Sequence, residues 1–155
     1  MTNGDYFKNL AIDLQILDKS LYWLRRSYVI CTEIGVKSAY SDEECDAIET
    51  LTSRYARTSD IIIQKVFRSI DKVELEDSGT MIDVINRAHK RGLFDSVDEI
   101  RTIKDLRNKI AHEYAREDIE SVYAQVVNFT PEIFAIAARI LIYCSRYDRK
   151  DHSQG

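Results

Sequence analysis

Four side chains of distinct chemistry lie within eight consecutive residues of this sequence, at positions 107–114. They are the guanidinium of Arg107, the amide of Asn108, the imidazole of His112 and the phenol of Tyr114. A guanidinium binds two phosphate oxygens in a planar fork, and an imidazole exchanges a proton near neutral pH. The sequence therefore predicts chemistry on a phosphodiester, with no metal ion and no other cofactor.

The spacing of Arg107 and His112 sets a geometric problem for a shared site. On an ideal α-helix five residues turn a side chain by about 140°, whereas Arg107 and Tyr114 lie on one stripe. Either the helix ends between Arg107 and His112, or a second subunit completes the site. A simpler interpretation also stays open, in which Arg107 only pairs with Asp105 or Glu113 and His112 only caps a helix end.

The region around these residues is more basic than the rest of the chain. Residues 87–116 contain eight Lys and Arg and five Asp and Glu, a net charge of +3 in a protein of net charge −4. A local excess of this kind is typical of a face that attracts RNA or a nucleotide. Lys104 and Lys109 flank Arg107 and are the predicted RNA contacts.

The composition favours a small helical protein. A chain of 155 residues fits one domain, and five Gly and one Pro leave little material for the tight turns of a barrel or sandwich. Three cysteines without a C-x-x-C pair predict buried thiols. The N-terminus lacks a hydrophobic signal core, and the longest apolar run, residues 133–144, is interrupted by Arg139. We expect a cytoplasmic protein with no membrane contact.

Apolar residues three and four apart predict an all-α, up-and-down bundle of four to five helices. The predicted helices begin near Phe7, Ser41 or Asp42, Thr80, Ser96 and Asp118. Ser96 and Glu99 have the spacing of a capping box. Pro131 makes the last helix either one kinked helix, which the unbroken register favours, or two helices with Pro131 at the start of the second. We predict a single domain over residues 1–148 and a flexible tail over 149–155.

Two of these helices carry features beyond a core-facing stripe. The first has a second apolar stripe, which predicts contact with more than one neighbour. The members of that stripe are Ile12, Ile16, Trp23 and Ile30. The second helix has a polar middle over residues 52–60, where Ser59 shares a stripe with Tyr55 and Ile62. This run either lines a site or is a solvated face with one buried hydroxyl bonded to the preceding turn, which is the favoured interpretation.

The spacing of Arg107, His112 and Tyr114 gives the pattern R-x4-H-x-Y. This pattern, between two long helices, resembles the signature of the HepT-like toxins of the HEPN superfamily, and the resemblance covers nearly the whole chain. It implies a helical bundle that forms a homodimer, so that two motifs face one cleft. It also implies a metal-independent ribonuclease that is the toxin of a toxin–antitoxin pair, with a minimal nucleotidyltransferase as the antitoxin.

The resemblance further implies a role for each residue of the motif. Arg107 would bind and stabilise the scissile phosphate, with Asn108 in support, and His112 would be the general acid or base while the RNA 2′-hydroxyl attacks. Tyr114 would be the residue that the antitoxin modifies with AMP. A different function is a non-catalytic subunit that presents a nucleotide or another substrate to a nucleotidyltransferase, and a third is a structural dimerisation module.

Overall fold

Capping residues divide the chain into helices close to the positions that the sequence predicts. The computed structural model describes residues 2–153, with side chains over residues 2–148, and holds no strand within that range. Its elements are α1 (Asn3–Ile34), α2 (Asp42–Asp60), a π-helical segment (Ile61–Val66), α3 (Phe67–Val73), α4 (Met81–Lys90), α5 (Val97–Ala115), a 3-10 turn (Ile119–Val122) and α6 (Tyr123–Ser153). Since α2, the π segment and α3 are continuous, the described residues form five helical units, which confirms the all-α bundle.

Side-chain caps explain where two of the helices begin. At the start of α2, Ser41 Oγ accepts from the N–H of Glu44 at 3.2 Å, and Glu44 Oε1 accepts from the N–H of Ser41 at 3.0 Å. At the start of α5, Ser96 Oγ accepts from the N–H of Glu99 at 3.3 Å, but the Glu99 carboxylate accepts from the N–H of Asp95 at 3.1 Å. The predicted capping box at Ser96 is therefore only half formed.

α1 packs against α2, α3 and α6 through one stripe of its surface. The buried members of that stripe are Leu10, Leu17, Leu21, Leu24 and Cys31. The predicted contact with several neighbours is confirmed, and the first stripe makes most of it, with Ile16 of the second stripe partly buried against the core. Ile12, Trp23 and Ile30 are 53 %, 46 % and 43 % exposed. The first stripe accounts for most of the packing of α1 against its neighbours. Most of the second stripe faces solvent.

The last helix continues through Pro131, so the interpretation as one helix is confirmed and the interpretation as two helices is wrong. It begins as an α-helix at Tyr123 rather than near Asp118, because a 3-10 turn comes first. Residues Ile119–Asp148 are apolar and long enough to cross a bilayer, with 33 % of their most apolar 18-residue window buried in the bundle, and the core helix of a soluble protein has the same property. Side chains of the predicted tail, 149–155, lie outside the described residues.

The three cysteines are free, and they differ in burial. Cys31 and Cys144 are buried, as predicted, and burial raises the pKa of Cys144 to about 12. Cys45 is only half-buried, which corrects the prediction of three buried thiols. Its Sγ donates to Glu120 Oε1 at 3.0 Å, and this hydrogen bond raises the pKa of Cys45 to about 11.

A buried polar cluster ties the loop between α3 and α4 to α6. Asp71 accepts from Arg87 Nη2 at 2.9 Å and from Arg91 Nη1 at 2.5 Å. Glu74 accepts from Arg91 Nε at 3.1 Å and from the hydroxyl of Tyr143 at 2.6 Å. The hydroxyl of a second tyrosine, at position 147, also donates to Glu74. Every charged group in this cluster has an opposite charge beside it, as buried charges require.

Candidate active site

Arg107 and His112 lie on different sides of one unbroken helix. α5 runs from Val97 to Ala115, so the alternative in which the helix ends between these two residues is wrong. The helix ends later because Glu117 adopts the left-handed conformation, with φ 58°, which turns the chain away. This removes one of the two arrangements that would bring Arg107 and His112 together in one site.

Arg107 lines a cavity of about 690 Å³ between α5 and the junction of α2 with the π segment, hereafter the Arg107 cavity. Three further cations line it, and they are Arg57, Lys65 and Lys104. Its uncharged polar walls are Ser59, Gln64 and Asn108, and its apolar walls are Ile16, Ile61 and Ile63. A cavity lined by several cations can bind a ligand that carries phosphate groups.

Asp60 is the partner of Arg107 within this cavity. Arg107 Nε donates to Asp60 Oδ1 at 2.9 Å and Nη2 donates to Oδ2 at 2.9 Å, a bidentate arrangement. The hydrogen bond and the charge of Asp60 raise the pKa of Arg107 further, so the guanidinium stays charged. The simpler interpretation, in which Arg107 pairs with Asp105 or Glu113, is therefore wrong: the partner lies on another helix, 47 positions earlier.

The residues that follow Asp60 form a π-helical turn. Phe67 donates its N–H to the carbonyl of Ile62, five residues earlier, which is the hydrogen bond of a π-helix. Within this widened turn the successive residues Ile61, Ile62 and Ile63 are all buried. Asp60 directly precedes the turn. Single π turns inside α-helices are frequent at functional sites.

The polar middle of α2 both lines a cavity and contains a buried hydroxyl bonded to the preceding turn. Each of the two interpretations that the sequence left open is therefore partly correct. Ser59 Oγ donates to the carbonyl of Tyr55 at 2.9 Å, so its hydroxyl is bonded to the preceding turn as favoured. Ser59 also lines the Arg107 cavity. Nearby, the buried hydroxyls of Thr58 and Ser20 lie 2.7 Å apart, so part of this run is a polar contact with α1 and not a solvated face.

His112 borders a separate groove of about 560 Å³ between α5 and α6, hereafter the His112 groove. The imidazole is 64 % exposed, and its Nε2 lies 4.0 Å from Glu113 Oε1. Lys109 borders the same groove, where its Nζ donates to Gln125 Oε1 at 3.3 Å. An exposed histidine at a groove is available to exchange protons with a bound molecule.

The predicted site residues are thus divided between two places. Lys104 accompanies Arg107, Lys109 accompanies His112, and Asn108 borders both the Arg107 cavity and the His112 groove. Tyr114, whose ring is 58 % exposed, lines neither of them. Within one copy of the chain, no described cavity contains both members of the Arg–His pair.

The basic character of residues 87–116 is only partly available to a ligand. Four of its eight cations are in ion pairs, and these are Arg87 and Arg91 with Asp71, Arg101 with Asp98, and Arg107 with Asp60. The Arg107 cavity draws Arg57 and Lys65 from outside that segment. Sequence reasoning missed Asp60, Arg57 and Lys65 as site residues, although two of them lie in the polar run it singled out. No described group of three or more His, Cys, Asp and Glu could hold a metal ion.

A helical bundle that presents the arginine and histidine of an R-x4-H motif on one surface helix belongs to the HEPN class. The family described as "Ribonuclease HepT-like" matches residues 26–140, a stretch that contains α2, the π segment and α5. The chain therefore belongs to the HepT-like ribonuclease family. No curated protein and no solved structure matches this sequence.

Proposed function

We propose that this protein is a metal-independent endoribonuclease, the cytoplasmic toxin of a toxin–antitoxin pair, whose active site is completed by a second copy of the chain. The observation that carries the proposal is the separation of Arg107 from His112 on one continuous, exposed helix. Family membership supplies the ribonuclease activity. Because Arg107 and His112 of one copy are separated, a site that contains both residues needs a second copy of the chain.

The surface of α5 between the two residues suits contact with a second α5. Ala111 and Ala115 are exposed. On an ideal helix they lie about 40° and 80° round from Arg107, within the arc of about 140° that ends at His112. Small side chains let two helices approach closely. Across a two-fold axis, two α5 helices in contact at these alanines bring Arg107 of one copy towards His112 of the partner subunit.

In this composite site the chemistry is a transesterification. Arg107 binds the scissile phosphate and stabilises the charge that develops on it. His112 of the partner subunit accepts the proton of the RNA 2′-hydroxyl, whose oxygen forms a bond to phosphorus. The bond from phosphorus to the 5′-oxygen breaks, and water protonates that oxygen. The products are a 2′,3′-cyclic phosphate and a 5′-hydroxyl.

The remaining residues of the two cavities fit the binding of RNA on either side of the cut. Lys104, Arg57 and Lys65 are placed to bind neighbouring phosphates in the Arg107 cavity. Lys109 is placed to do so at the His112 groove. Asn108, between the two, supplies an amide to the backbone or base. Contacts of this kind add affinity without selecting a base sequence.

Tyr114 fits the role of a regulatory modification site. Its exposure leaves the hydroxyl accessible to another protein, and it shares a stripe of α5 with Arg107. A nucleotidyltransferase antitoxin would transfer AMP from ATP to the phenol oxygen and release pyrophosphate. The adduct places a negative phosphate and a bulky base beside the cations of the site, where they oppose the approach of RNA.

Cleavage of end-labelled RNA in excess EDTA tests the activity. We expect the wild type to cleave and both Arg107→Ala and His112→Ala to be slower by about 100-fold or more, since each removes one component of the transition-state stabilisation. Arg101→Ala, an exposed arginine on the same helix, is the matched control and keeps full activity. Because the side chains of Arg107 and His112 are 37 % and 64 % exposed, and neither belongs to the apolar core, circular dichroism of the variants should match the wild type. Loss of helicity, or equal cleavage by all four proteins, contradicts the assignment.

Mixing the two inactive variants tests the composite site. A heterodimer of Arg107→Ala and His112→Ala has one intact site, formed by Arg107 of one chain and His112 of the other. Random re-association makes half of the dimers mixed, so the mixture recovers about a quarter of the wild-type rate. A mixture that stays inactive, or wild-type protein that is monomeric by light scattering, excludes completion by a second copy.

The ion pair of Arg107 with Asp60, far from His112 of the same copy, also fits the alternative of a non-catalytic subunit that binds a nucleotide for a nucleotidyltransferase. Under that alternative the wild type binds RNA or nucleotide and cleaves neither, and His112→Ala changes only the affinity.

A further inference from the structure

We infer that Asp60 is a positioning residue for RNA cleavage, which holds the Arg107 guanidinium by one edge and presents its other edge to the scissile phosphate. The inference rests on the proposed ribonuclease function. It adds a residue from outside the R-x4-H-x-Y motif to the machinery of that reaction.

The donor inventory of Arg107 shows why the pairing leaves room for a phosphate. A guanidinium has five N–H donors, one on Nε and two on each Nη. Asp60 takes the edge formed by Nε and Nη2, with both distances at 2.9 Å and a third contact, Nε to Oδ2, at 3.2 Å. Both hydrogens of Nη1 and one of Nη2 remain. They form a second planar fork, and a phosphate fits such a fork with two hydrogen bonds.

The surroundings argue against a merely structural ion pair. The side chains of Arg107 and Asp60 are 37 % and 43 % exposed. Ion pairs with this degree of exposure contribute little to stability, about 0 to 1 kcal/mol. Both residues line the cavity, whereas the carboxylate of Asp71, which pairs with Arg87 and Arg91, is buried. A guanidinium that is held in place at the wall of a cavity can bind a ligand there.

Asp60 is the one carboxylate among the described lining residues of the Arg107 cavity, which it shares with Arg57, Lys65 and Lys104. A negative charge in a site for a polyanion weakens the binding of RNA in its ground state. The charge of Asp60 has a different benefit: it holds the guanidinium in place before charge develops in the transition state. Removal of the charge should therefore have opposite effects on binding and on catalysis.

The kinetic test compares Asp60→Asn with Asp98→Asn, which alters the other exposed aspartate–arginine pair that involves α5. We expect Asp60→Asn to lower kcat by about tenfold or more while KM stays the same or falls. Asp98→Asn leaves both constants unchanged. Asp60→Asn should add nothing to the loss caused by Arg107→Ala, because Asp60 acts through Arg107. A rise in KM alone, or full additivity of the two substitutions, overturns the inference.

Two measurements do not depend on cleavage. The first is the affinity for an RNA oligonucleotide with 2′-O-methyl groups, which cannot be cut: Asp60→Asn should bind it as tightly as the wild type or more tightly. The second is the NMR signal of the Arg107 Nε–H, identified by its loss in Arg107→Ala. This signal should exchange slowly with water in the wild type and rapidly in Asp60→Asn.

These two measurements separate the failure of the inference from the failure of the proposed function. Wild-type protein that cleaves no RNA removes the ribonuclease proposal. If Asp60→Asn then still releases the Nε–H and binds the oligonucleotide at least as tightly, Asp60 holds Arg107 in place without a role in cleavage, and that part of the inference is overturned. Weaker binding by Asp60→Asn, or an unchanged Nε–H, overturns the positioning role in either case.

Discussion

Asp60 and Glu74 each pair with an arginine, and their surroundings give the two pairs different roles. The pair of Asp60 with Arg107 lies at the wall of an open cavity, where water and a ligand reach both side chains. Glu74 pairs with Arg91, whose side chain is only 7 % exposed. Arg91 is removed from water, so water cannot take the place of the Glu74 carboxylate beside it. The pair of Glu74 with Arg91 is therefore important for folding.

Glu74→Gln should destabilise the protein. Burial raises the pKa of Glu74, but hydrogen bonds from Tyr143 and Tyr147 and the charge of Arg91 outweigh burial and lower it overall. A carboxyl with a lowered folded-state pKa stabilises the fold above its unfolded pKa of about 4.3, and this stability is lost as the pH falls through the folded pKa. Urea unfolding at pH 7 should show a loss of about 1 to 3 kcal/mol, which shrinks towards pH 3.

Glu76→Gln is the control for this prediction. Its side chain is 57 % exposed and lies 3.7 Å from Arg91, so its loss should change stability little at any pH. Equal unfolding midpoints for Glu74→Gln and the wild type at pH 7 would show that the hydrogen bonds of Glu74 contribute nothing.

The chemistry of single residues was predictable where type and spacing carry it. His112 and Tyr114 are exposed and Arg107 is half-buried, as expected from their places on a helix with a known apolar stripe. The pair of Arg107 with Asp60 was not predictable, because the two residues are 47 positions apart and their contact depends on how α2 packs beside α5. Carboxylates close to Arg107 in the sequence, such as Asp105, are the partners that local spacing indicates.

Helix boundaries and core-facing stripes followed from the sequence, because apolar periodicity and caps act locally. The π segment did not follow, since Ile61–Val66 reads as an ordinary helical stretch and its wider turn is fixed by packing. The second stripe of α1 was expected to contact further neighbours, but most of it is exposed. Periodicity shows that a face is apolar, but not that another helix packs on it.

Pro131→Ala should stabilise α6. Proline inside a helix lacks the N–H that would bond to the carbonyl four residues earlier, and its ring crowds that carbonyl. Alanine restores the donor, and the gain is offset in part by the greater freedom of the unfolded chain. We expect a net gain of about 1 to 2 kcal/mol in the free energy of unfolding, measured by thermal or urea unfolding.

Pro131→Gly is the comparison, because it restores the same N–H but has a poorer helix propensity. It should fall below the alanine variant by about 1 kcal/mol. A less stable alanine variant would mean that the packing of the bundle depends on the local helix geometry that Pro131 sets in α6.

For the whole molecule, the proposed dimer depends on a surface that a single chain leaves exposed. Ala111→Arg places a long charged side chain at the centre of the α5 face. Burying that charge against its symmetry mate is unfavourable, so dimerisation should weaken by about 100-fold or more. Light scattering should then report a monomer at micromolar concentration, and RNA cleavage should fall in parallel.

Asn86→Arg is the matched control for Ala111→Arg, since it adds the same charge at an exposed position on α4. It should leave both the mass and the cleavage rate unchanged. A monomeric Ala111→Arg that still cleaves RNA would place the active site within one copy. A dimeric Ala111→Arg would place the interface elsewhere.

The positions of Arg107 and His112 on different sides of one unbroken helix also bear on how the proposed toxin is kept harmless to the cell that makes it. In the proposed dimer, a newly synthesised copy would fold with an incomplete site and would find the missing half only by meeting another copy. Below the dissociation constant of the dimer, mass action makes the amount of active site grow with the square of the protein concentration. A basal level of expression would then be nearly harmless, whereas a modest rise would produce a disproportionate burst of cleavage.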